Sequence, residues 1–416
     1  KTVWDSGKVA SSSMRAVYPE KLASRQRVVW KVKLWDEEGK EGEWSKEASF
    51  EMGLLSPSDF SAKWIAGNYT VDASKRYPVD CFLRRFSAEN IVRARLYSTA
   101  CGIYEVKLNG QKAGSFCLAP GHTDYKKRIQ YQTADVTALL NNGENILTCE
   151  LADGWYRGSC GAWGLLNEYG IETKLFVQLE LFDRNGKVTT IVSDGSWAWS
   201  NDGPIRFADN KDGEIYDARK TPSYSGKAKV TSCPVIPTAS DNVLLEEHER
   251  LKAVQVITTP SGKKVLDFGQ NIAGYIEFRL NAKAGQKLKL RFGEMFDEAG
   301  EFTQKNFQCV KKERKTPLQQ IEYTCREGVN EYKTRFAIFG FQYALVEGDA
   351  PWKEEDFTAI AVYSSMESTV AFESSNALLN KFVENTRWSA KNNHADIPTD
   401  CPTRERHGWT GDAQIF

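Results

Sequence analysis

The sequence has 416 residues, a length that exceeds one ordinary hydrophobic core and predicts about two to four domains. Its 55 Lys and Arg residues balance 55 Asp and Glu residues, so no net charge attracts the chain to nucleic acid or anionic lipid. No apolar run approaches the roughly 20 residues of a membrane-spanning helix. The sequence therefore predicts no nucleic-acid partner and no membrane partner.

Cysteine and histidine are the residues that would indicate a disulfide framework or a transition-metal site. The nine cysteines are scattered, odd in number and never spaced C-x-x-C, which favours reduced thiols over a set of disulfides. None of the four histidines (His122, His248, His394 and His407) lies at metal-ligand spacing from another histidine or from a cysteine. We therefore expect no transition-metal site and no cofactor, while calcium binding by a sandwich domain stays open.

Most of the chain shows short alternating strands separated by Gly, Asn and Asp turns. In WKVKLWDEEGKEGEWS, Trp30, Val32 and Leu34 alternate with lysines, a pattern that predicts a hairpin with one buried face. In YEVKLNGQKAG, Asn109-Gly110 predicts a type I′ turn between two strands. Regular strands without a long helical period favour sandwiches or barrels, so the predicted fold class is mostly β.

Changes in composition divide the chain into parts. Linker-like stretches rich in Ser, Thr, Pro or acidic residues occupy positions 53–62, 221–242 and 347–357. They predict four domains with the bounds 1–55, 56–225, 226–355 and 356–416. The first three are expected to be consecutive β-sandwich domains, and the last is expected to be helical.

Helical periodicity begins only after the third linker. One helical stripe between positions 373 and 393 contains Leu378, Leu379, Phe382, Val383 and Thr386. Ser374 or Ser375 is the expected N-cap of this helix, which should end before Pro398. Thr410 is expected to cap a second helix with Asp412 in its first turn, where an acidic side chain suits the helix dipole.

The stretch with the densest set of charged and aromatic side chains is TDCPTRERHGWTGD, residues 399–412. It places Asp400, Glu405 and Asp412 beside two arginines and Trp409, a set that suits a sugar site with a general acid. The competing interpretation is a salt-bridged connection between helices, and the residues alone favour neither. Mutual repulsion would raise one carboxyl pKa whereas Arg404 and Arg406 would lower it, so the identity of the acid stays open.

A second cluster, LADGWYRGSCGAWG, presents aromatic residues on a Gly-rich stretch at positions 151–164. Trp155, Tyr156 and Trp163 could form a carbohydrate-binding surface. Rings that cover the edge of a β-sandwich are the favoured interpretation, because such cores are commonly aromatic. The glycine spacing does not fit a phosphate-binding loop.

These stretches, in this order, resemble the bacterial α-L-rhamnosidases of glycoside hydrolase family 78. VWDSGKV and WKVKLWDEEGKEGEWS look like part of the fibronectin-III-like domain of the family. APGHTDYKKRIQYQTADVT, ADGWYRG and DGEIYDARK look like its carbohydrate-binding-like N-terminal sandwich. VLDFGQNIAGYIEF and RFAIFGFQYALVEG look like its concanavalin-like sandwich. ENTRWSAKNNHADIPTDCPTRERHGWTGDAQ, the most specific match, looks like the opening of its catalytic (α/α)6 six-hairpin barrel.

The resemblance implies roles for residues of the segment 399–412. Glu405 would be the general acid, and Asp400, Arg404, Trp409 and Asp412 would line the subsite for rhamnose. The substrates would be terminal α-L-rhamnosides, hydrolysed with inversion by a second, distant glutamate that acts as general base. That base has no counterpart in residues 356–416, so we expect a truncated and inactive N-terminal portion with an incomplete barrel.

A second hypothesis is a non-catalytic carbohydrate-binding or scaffold protein built of β-sandwich modules. Its support is the β-rich pattern together with the aromatic stretch at 151–164. A carbohydrate partner is expected in both cases, and a homo-oligomer is compatible with the sequence. The substrate class favours the periplasm or the cell exterior, whereas the unspaced cysteines are compatible with the cytoplasm, so the compartment stays open.

Overall fold

The computed structural model describes residues 2–240, 243–307 and 319–414. The chain divides into two compact units, residues 1–60 and residues 61–416. None of the helices in the described ranges is long and apolar enough to cross a membrane. The predicted domain boundaries stay proposals.

In the first unit, strands β1 (Arg27–Trp30) and β2 (Ala48–Glu51) pair antiparallel, and a 3-10 turn spans Pro57–Asp59. The predicted hairpin is present, because Ser45 N donates to Val32 O at 2.8 Å and Gly42 N donates to Leu34 O at 2.9 Å. The prediction of a buried face is wrong.

The apolar face of this hairpin is open to solvent. Trp30, Val32 and Leu34 are 47%, 45% and 75% exposed. The physical reason is that a two-stranded ribbon buries a face only against a second layer, and the described residues of this unit form no second sheet. The ammonium groups of Lys31 and Lys33 instead lie over the Trp44 ring at 4.7 Å.

The second unit begins with fifteen strands and one helical turn. Their bounds are Trp64–Ala66 (β3), Asp80–Ala88 (β4), Ile91–Cys101 (β5), Ile103–Leu108 (β6), Gln111–Lys112 (β7), Gln130–Asp135 (β8), Gly143–Ala152 (β9), Gly154–Arg157 (α1), Lys174–Asp183 (β10), Val188–Val192 (β11), Ala198–Ser200 (β12), Ile205–Asp209 (β13), Gly213–Asp217 (β14), Gly226–Lys227 (β15), Lys229–Thr231 (β16) and Thr238–Ala239 (β17).

Most of these strands form a β-sandwich. One sheet has the order β16-β3-β10-β5-β8-β17 with β11 beside β10, and the other has the order β15-β12-β4-β9-β6-β7. Alternate residues of β9 and β10 enter one shared core, as the burial of Leu147, Leu151, Val177 and Leu179 shows. The predicted turn at Asn109-Gly110 is confirmed, because both residues have positive φ (53° and 82°) between β6 and β7.

A ten-stranded sheet follows. The strands of this region are Leu245–Lys252 (β18), Gln255–Thr258 (β19), Lys264–Ala282 (β20), Lys287–Gly293 (β21), Met295–Phe296 (β22), Phe302–Thr303 (β23), Gln320–Thr324 (β24), Gly328–Lys333 (β25), Phe339–Gly348 (β26) and Phe357–Ser364 (β27). All of them belong to the ten-stranded sheet except β22 and β23, which form a separate short hairpin. The order is β13-β14-β24-β21-β26-β20-β27-β18, and β19 and β25 pair with β20. The β13–β14 hairpin therefore belongs to the sheet formed by later strands, although it precedes the linker at 221–242.

The last elements are α2 (Ala377–Asn392), the hairpin β28 (His394–Ala395) and β29 (Ile397–Pro398), and the one-turn α3 (Thr410–Ala413). The stretch predicted to be helical from residue 356 begins instead with β27, which completes a buried sheet. The N-cap of α2 is Asn376, whose side chain accepts from the backbone N–H groups of Leu378 and Leu379, so the expected serine cap is wrong. The prediction that this helix ends before Pro398 is confirmed.

The two predicted helix caps and the apolar stripe of α2 can be compared with the structure. Ser374 does not cap α2 because its hydroxyl donates to the side chain of Asn380 at 2.8 Å. Thr410 is the first residue of α3 rather than its cap, and Asp412 lies in the first turn as expected. The apolar stripe of α2 is open, with Leu378 82% and Phe382 66% exposed.

Candidate active site

Residues 399–412 form a closed loop on the second unit. Thr399 pairs with Gly408 in an isolated β-bridge, and Trp409 N donates to Pro398 O at 3.3 Å. At the start of the loop, Thr399 N donates to Asn393 O at 2.8 Å, directly after α2. These bonds bring the two ends of the loop together beside the β28–β29 hairpin, so residues 400–407 project as one turn.

Arg406 anchors the loop to the strands beneath it. Its Nη1 donates to the carbonyl oxygens of Asn210, at 2.8 Å, and of Ile338, while its Nε donates to Thr403 O at 3.1 Å. Burial lowers the pKa of Arg406 to about 10, so the guanidinium stays charged near neutral pH. The expectation that Arg406 lowers the pKa of a carboxyl group of the loop is wrong, because its side chain points into the protein.

Lys211 supports the same loop from the turn between β13 and β14. Its Nζ donates to Arg404 O at 2.5 Å and to Gly161 O, and its side chain is buried. A third contact comes from Gln319, whose Nε2 donates to Thr403 O at 3.1 Å. Donors from two other segments, together with Arg406 of the loop itself, therefore hold the backbone at residues 403–404.

The two carboxylates of the loop, those of Glu405 and Asp400, belong to partly buried residues. Glu405 has a 22% exposed side chain, and its Oε1 accepts from Arg404 Nη2 at 3.2 Å. Asp400 Oδ2 accepts from the Cys401 thiol at 3.0 Å, and its buried Oδ1 has no hydrogen-bond partner within the described residues. The same sulfur accepts from Glu405 N at 3.4 Å, which makes Cys401 a link between the two acidic residues.

The remaining predicted site residues are Arg404 in the loop, Trp409 directly before α3 and Asp412 within α3. Trp409 is 50% exposed, and the Arg404 side chain is 46% exposed. Asp412 is partly buried in α3, one short turn after the tryptophan. A partly exposed acid, a free carboxylate oxygen, an exposed guanidinium and a flat ring suit a polar ligand that also has an apolar face.

Buried charges that the sequence analysis missed support this loop. Asp209 accepts from Arg76 Nη2 at 2.6 Å, from Ser159 N at 2.7 Å and from Lys211 N at 2.8 Å. Burial alone would raise the pKa of Asp209, but the ion pair with Arg76 and the backbone donors lower it below its usual value. The only sequence signal was the run of charged residues DNKDGE, which reads as a surface turn until its partners are known.

The possible carbohydrate surface at 151–164, which the sequence favoured less than rings covering a sandwich edge, is not present as one open surface. Trp155 and Tyr156 are buried, at 6% and 9% exposure, so these two rings do not form an open platform. The reason is packing from elsewhere in the chain: His122 stacks on Trp155 at 5.4 Å, and Tyr125 meets Tyr156 edge to face at 5.5 Å. Trp163 is 46% exposed, and a carbohydrate surface at this residue stays a proposal.

Two histidines, His122 and His407, lie close together near the loop, with their ring centroids 6.3 Å apart. Burial, together with the nearby His407, lowers the pKa of His122 to about 4, so its ring is neutral near pH 7. Its backbone N–H donates to Asp396 Oδ2 at 2.6 Å, which ties the hairpin before the loop to the sandwich. Within the described residues, no group of three or more His, Cys, Asp or Glu side chains could hold a metal ion.

Four family models match consecutive parts of the chain. They are the Rha78A-like N-terminal immunoglobulin domain at 1–56, the α-L-rhamnosidase N-terminal domain at 89–255, the bacterial α-L-rhamnosidase concanavalin-like domain at 257–363 and the bacterial α-L-rhamnosidase six-hairpin glycosidase domain at 367–416. The first match is described as an immunoglobulin domain where the resemblance predicted a fibronectin-III-like one. The loop at 399–412 lies within the glycosidase match.

Curated proteins and solved structures agree with these matches. The chain is 35% identical to an α-L-rhamnosidase of Formosa agariphila, over 100% of this chain and 47% of the relative. It is similar to the crystal structure of the Aspergillus terreus enzyme, with 34% identity and a TM-score of 0.88, over 95% of this chain and 47% of that one. For the Streptomyces avermitilis α-L-rhamnosidase complexed with L-rhamnose, the identity is 26% and the TM-score 0.90, over 99% and 57%.

The chain thus spans about half the length of the curated relatives that it matches. Every matched region carries a rhamnosidase domain, in the order that the sequence motifs predicted. The chain belongs to the bacterial α-L-rhamnosidases of glycoside hydrolase family 78.

Proposed function

We propose that the loop at 399–412 is the acid side of the active site of an inverting α-L-rhamnosidase that releases terminal rhamnose. The observation that carries the proposal is Glu405, a partly exposed carboxylate on a turn whose backbone is fixed by buried donors. Fixed position and access to solvent are what a general acid needs in order to reach a glycosidic oxygen. Family membership supports the same assignment.

In this mechanism Glu405 protonates the leaving oxygen while a water molecule attacks the opposite face of the sugar. Inverting glycosidases place the second carboxylate about 6.5–9.5 Å from the acid, which leaves room for that water. We propose that this base lies in the part of the relatives that has no counterpart in residues 1–416, since the chain covers 47% of their length. The 416-residue chain alone is therefore expected to bind rhamnose weakly and to be inactive.

The side chains around Glu405 suit the two sides of rhamnose, a 6-deoxy sugar. The partly buried carboxylate of Asp400 can accept from a sugar hydroxyl, and the exposed Arg404 guanidinium can donate to another. The half-exposed Trp409 ring offers an apolar face to the C–H and methyl groups. Asp412 supplies a further carboxylate at the start of α3.

We also propose that α2 is the first helix of an (α/α)6 barrel. Its stripe of Leu378, Leu379 and Phe382 is 82%, 42% and 66% exposed, which is unusual for a helix of a finished domain. A neighbouring barrel helix would cover this stripe. The match of residues 367–416 to the six-hairpin glycosidase domain supports the same architecture.

The alternative, a non-catalytic carbohydrate-binding protein of β-modules, keeps one supporting observation. Trp163 is 46% exposed on the loop after α1 and could contact a sugar ring. The burial of Trp155 and Tyr156 removes the broader aromatic surface on which that hypothesis depended. Rhamnose binding that survives loss of Asp400 and Trp409 but not of Trp163 would favour the binding module.

The decisive experiment compares the complete gene product with its Glu405→Gln variant on aryl α-L-rhamnosides. Loss of a general acid should lower kcat/KM by about 10²–10⁴-fold when the leaving group needs a proton, and far less when the leaving group is activated. Proton NMR of the first product formed should show inversion at the anomeric carbon. Unchanged turnover by Glu405→Gln on both substrates would contradict the assignment, and initial retention of configuration would contradict the inverting mechanism.

A further inference from the structure

We propose that Lys211 is a positioning residue for Glu405: from beneath the loop it fixes the peptide group through which the acid is oriented. This inference rests on the proposed function, because it assumes that Glu405 is the acid. It concerns a residue 194 positions away from Glu405 whose side chain touches neither substrate nor the carboxylate itself.

Lys211 is itself held in place before it reaches the loop. Its own N–H and that of Asp212 donate to Asp209 Oδ1 at 2.8 and 2.9 Å. The other oxygen of Asp209 accepts from Arg76 and from Ser159 N, at 2.6 and 2.7 Å. The turn between β13 and β14 is therefore a rigid base from which the buried lysine extends.

The ammonium group joins two segments that approach it from different sides. It donates to Gly161 O, in the loop after α1, and to Arg404 O at 2.5 Å. Gly161 also lies against the active-site loop, because a Cβ at this position would clash with His407 Nε2, and its φ of 68° favours glycine. Lys211 thus connects the loop after α1 to the carbonyl oxygen of the residue before Glu405.

The oxygen of Arg404 and the N–H of Glu405 belong to the same planar peptide group. Lys211 binds the oxygen at one edge of this plane, and Cys401 Sγ accepts from the N–H at the other edge at 3.4 Å. With both edges held, the plane cannot rotate without breaking a bond. The direction in which the Glu405 side chain leaves the backbone is therefore set by these two contacts.

Keeping the loop closed would not by itself require a buried lysine. Desolvating an ammonium group is costly, and burial together with the neighbouring Arg406 lowers the pKa of Lys211 to about 8. Arg406 already anchors the loop through carbonyls of Asn210 and Ile338. A second buried cation at the peptide group of the acid adds control over orientation that the first anchor does not provide.

The test measures whether acid catalysis, rather than folding, is lost. The complete gene product and its Lys211→Met variant are assayed on an alkyl α-L-rhamnoside, whose leaving group needs a proton, and on a dinitrophenyl α-L-rhamnoside, whose leaving group does not. Misplacing the acid should lower kcat/KM on the alkyl substrate by about 10- to 100-fold more than on the dinitrophenyl substrate. This ratio does not depend on the fraction of folded enzyme.

Two controls separate the possible outcomes. Lys174→Met removes another lysine that donates to a backbone carbonyl, Ser232 O at 2.6 Å, and should leave the ratio unchanged. Glu405→Gln should show the selective loss in full; if it does not, the proposed function fails and this inference fails with it. If Glu405→Gln shows the loss but Lys211→Met lowers both substrates equally, only the role of Lys211 is overturned. Should Lys211→Met yield no folded protein, Lys211→Gln, which keeps N–H donors on a shorter side chain, is judged by the same ratio.

Discussion

Arg406 Nη1 donates to the backbone carbonyl of Asn210 at 2.8 Å, across 196 positions of sequence. This bond joins the loop at 399–412 to the turn between β13 and β14, two strands of the ten-stranded sheet. The neighbouring Arg404, two positions earlier, points the opposite way and is 46% exposed at its side chain. One arginine of the loop is therefore part of the scaffold and the other is available to a ligand.

Exchanging these two arginines for methionine should separate stability from binding. Arg406→Met leaves buried carbonyls of Asn210, Ile338 and Thr403 without this donor, so we expect the free energy of unfolding to fall by roughly 1–3 kcal/mol. Arg404→Met should change it by less than about 0.5 kcal/mol, because the side chain is exposed, but should weaken L-rhamnose binding. Urea denaturation and calorimetric titration measure the two effects. Equal destabilisation by both variants would contradict the distinction.

The contrast between the two arginines also shows what the sequence could not predict. Both lie in the same short segment, TRER, and no local pattern distinguishes them. Their directions are decided by the backbone, since Arg406 has a φ of 55°, and by carbonyl groups that tertiary folding brings beneath the loop. The burial of Trp155 has the same origin, because its partner His122 comes from a distant turn.

Features governed by local chemistry were predictable. The Asn109-Gly110 turn follows from the low cost of positive φ at Asn and Gly, and strand alternation follows from one buried face. The stop of α2 before Pro398 follows from the restricted backbone that precedes a proline. In contrast, the parallel pairing of β14 with β24 joins segments more than a hundred residues apart, so composition near the predicted boundary gave no sign of it.

The addition of a single methyl group at Gly121 should lower the stability of the protein. It has a φ of 99°, and a Cβ there would lie 2.6 Å from Asp396 Oδ2, the oxygen that accepts from His122 N. We expect Gly121→Ala to lower the free energy of unfolding by about 1–2 kcal/mol from backbone strain, plus a further loss from displacing Asp396. Urea denaturation provides the measurement.

Gly110→Ala is the matched control for this substitution. Gly110 has a similar φ of 82° but no heavy atom within 4 Å of the added Cβ, so it should show the backbone cost alone. If both variants lose the same stability, the contact with Asp396 has no energetic weight. A larger loss at Gly121 means that the β28–β29 hairpin, which precedes the loop at 399–412, depends on this close approach.

Cys401 should contribute to the site through its hydrogen bonds rather than through its reactivity. Its thiol donates to Asp400 Oδ2 at 3.0 Å and accepts from Glu405 N at 3.4 Å. Cys401→Ala removes both contacts, and we expect the affinity of the chain for L-rhamnose to fall by up to about tenfold, the equivalent of one hydrogen bond. Cys401→Ser keeps a donor and an acceptor and should retain most of the affinity. Equal losses in a calorimetric titration would show that the sulfur acts by its volume.

The stability of the second unit should depend on the protonation of Asp212. Burial and the nearby Asp209 raise the pKa of Asp212 to about 7 in the folded protein. The folded chain therefore holds a proton that the unfolded chain releases above about pH 4, and the associated stability is lost as the pH rises through 7. Asp212→Asn should stabilise the protein relative to wild type by about 1–3 kcal/mol more at pH 8 than at pH 4.

Urea denaturation at these two pH values measures that difference. Asp202→Asn is the control, because this carboxyl is 59% exposed and its hydrogen bond with Lys220 lowers its pKa rather than raising it. The control should show no gain at high pH. A gain for Asp212→Asn that is the same at both pH values would mean that removal of the proton from Asp212 is not what weakens the wild type.

The open stripe of α2 provides a test of the barrel proposal. Phe382 is 66% exposed, so Phe382→Glu should change the stability of the 416-residue chain by less than about 0.5 kcal/mol. In the complete gene product a covering barrel helix would bury this ring, and the same substitution should cost on the order of 3–5 kcal/mol. Glu384→Lys is the control, because two positions along a helix turn the side chain by about 200°, onto the opposite face. Thermal and urea unfolding of both proteins measure the effects, and a neutral Phe382→Glu in the complete gene product would contradict the barrel.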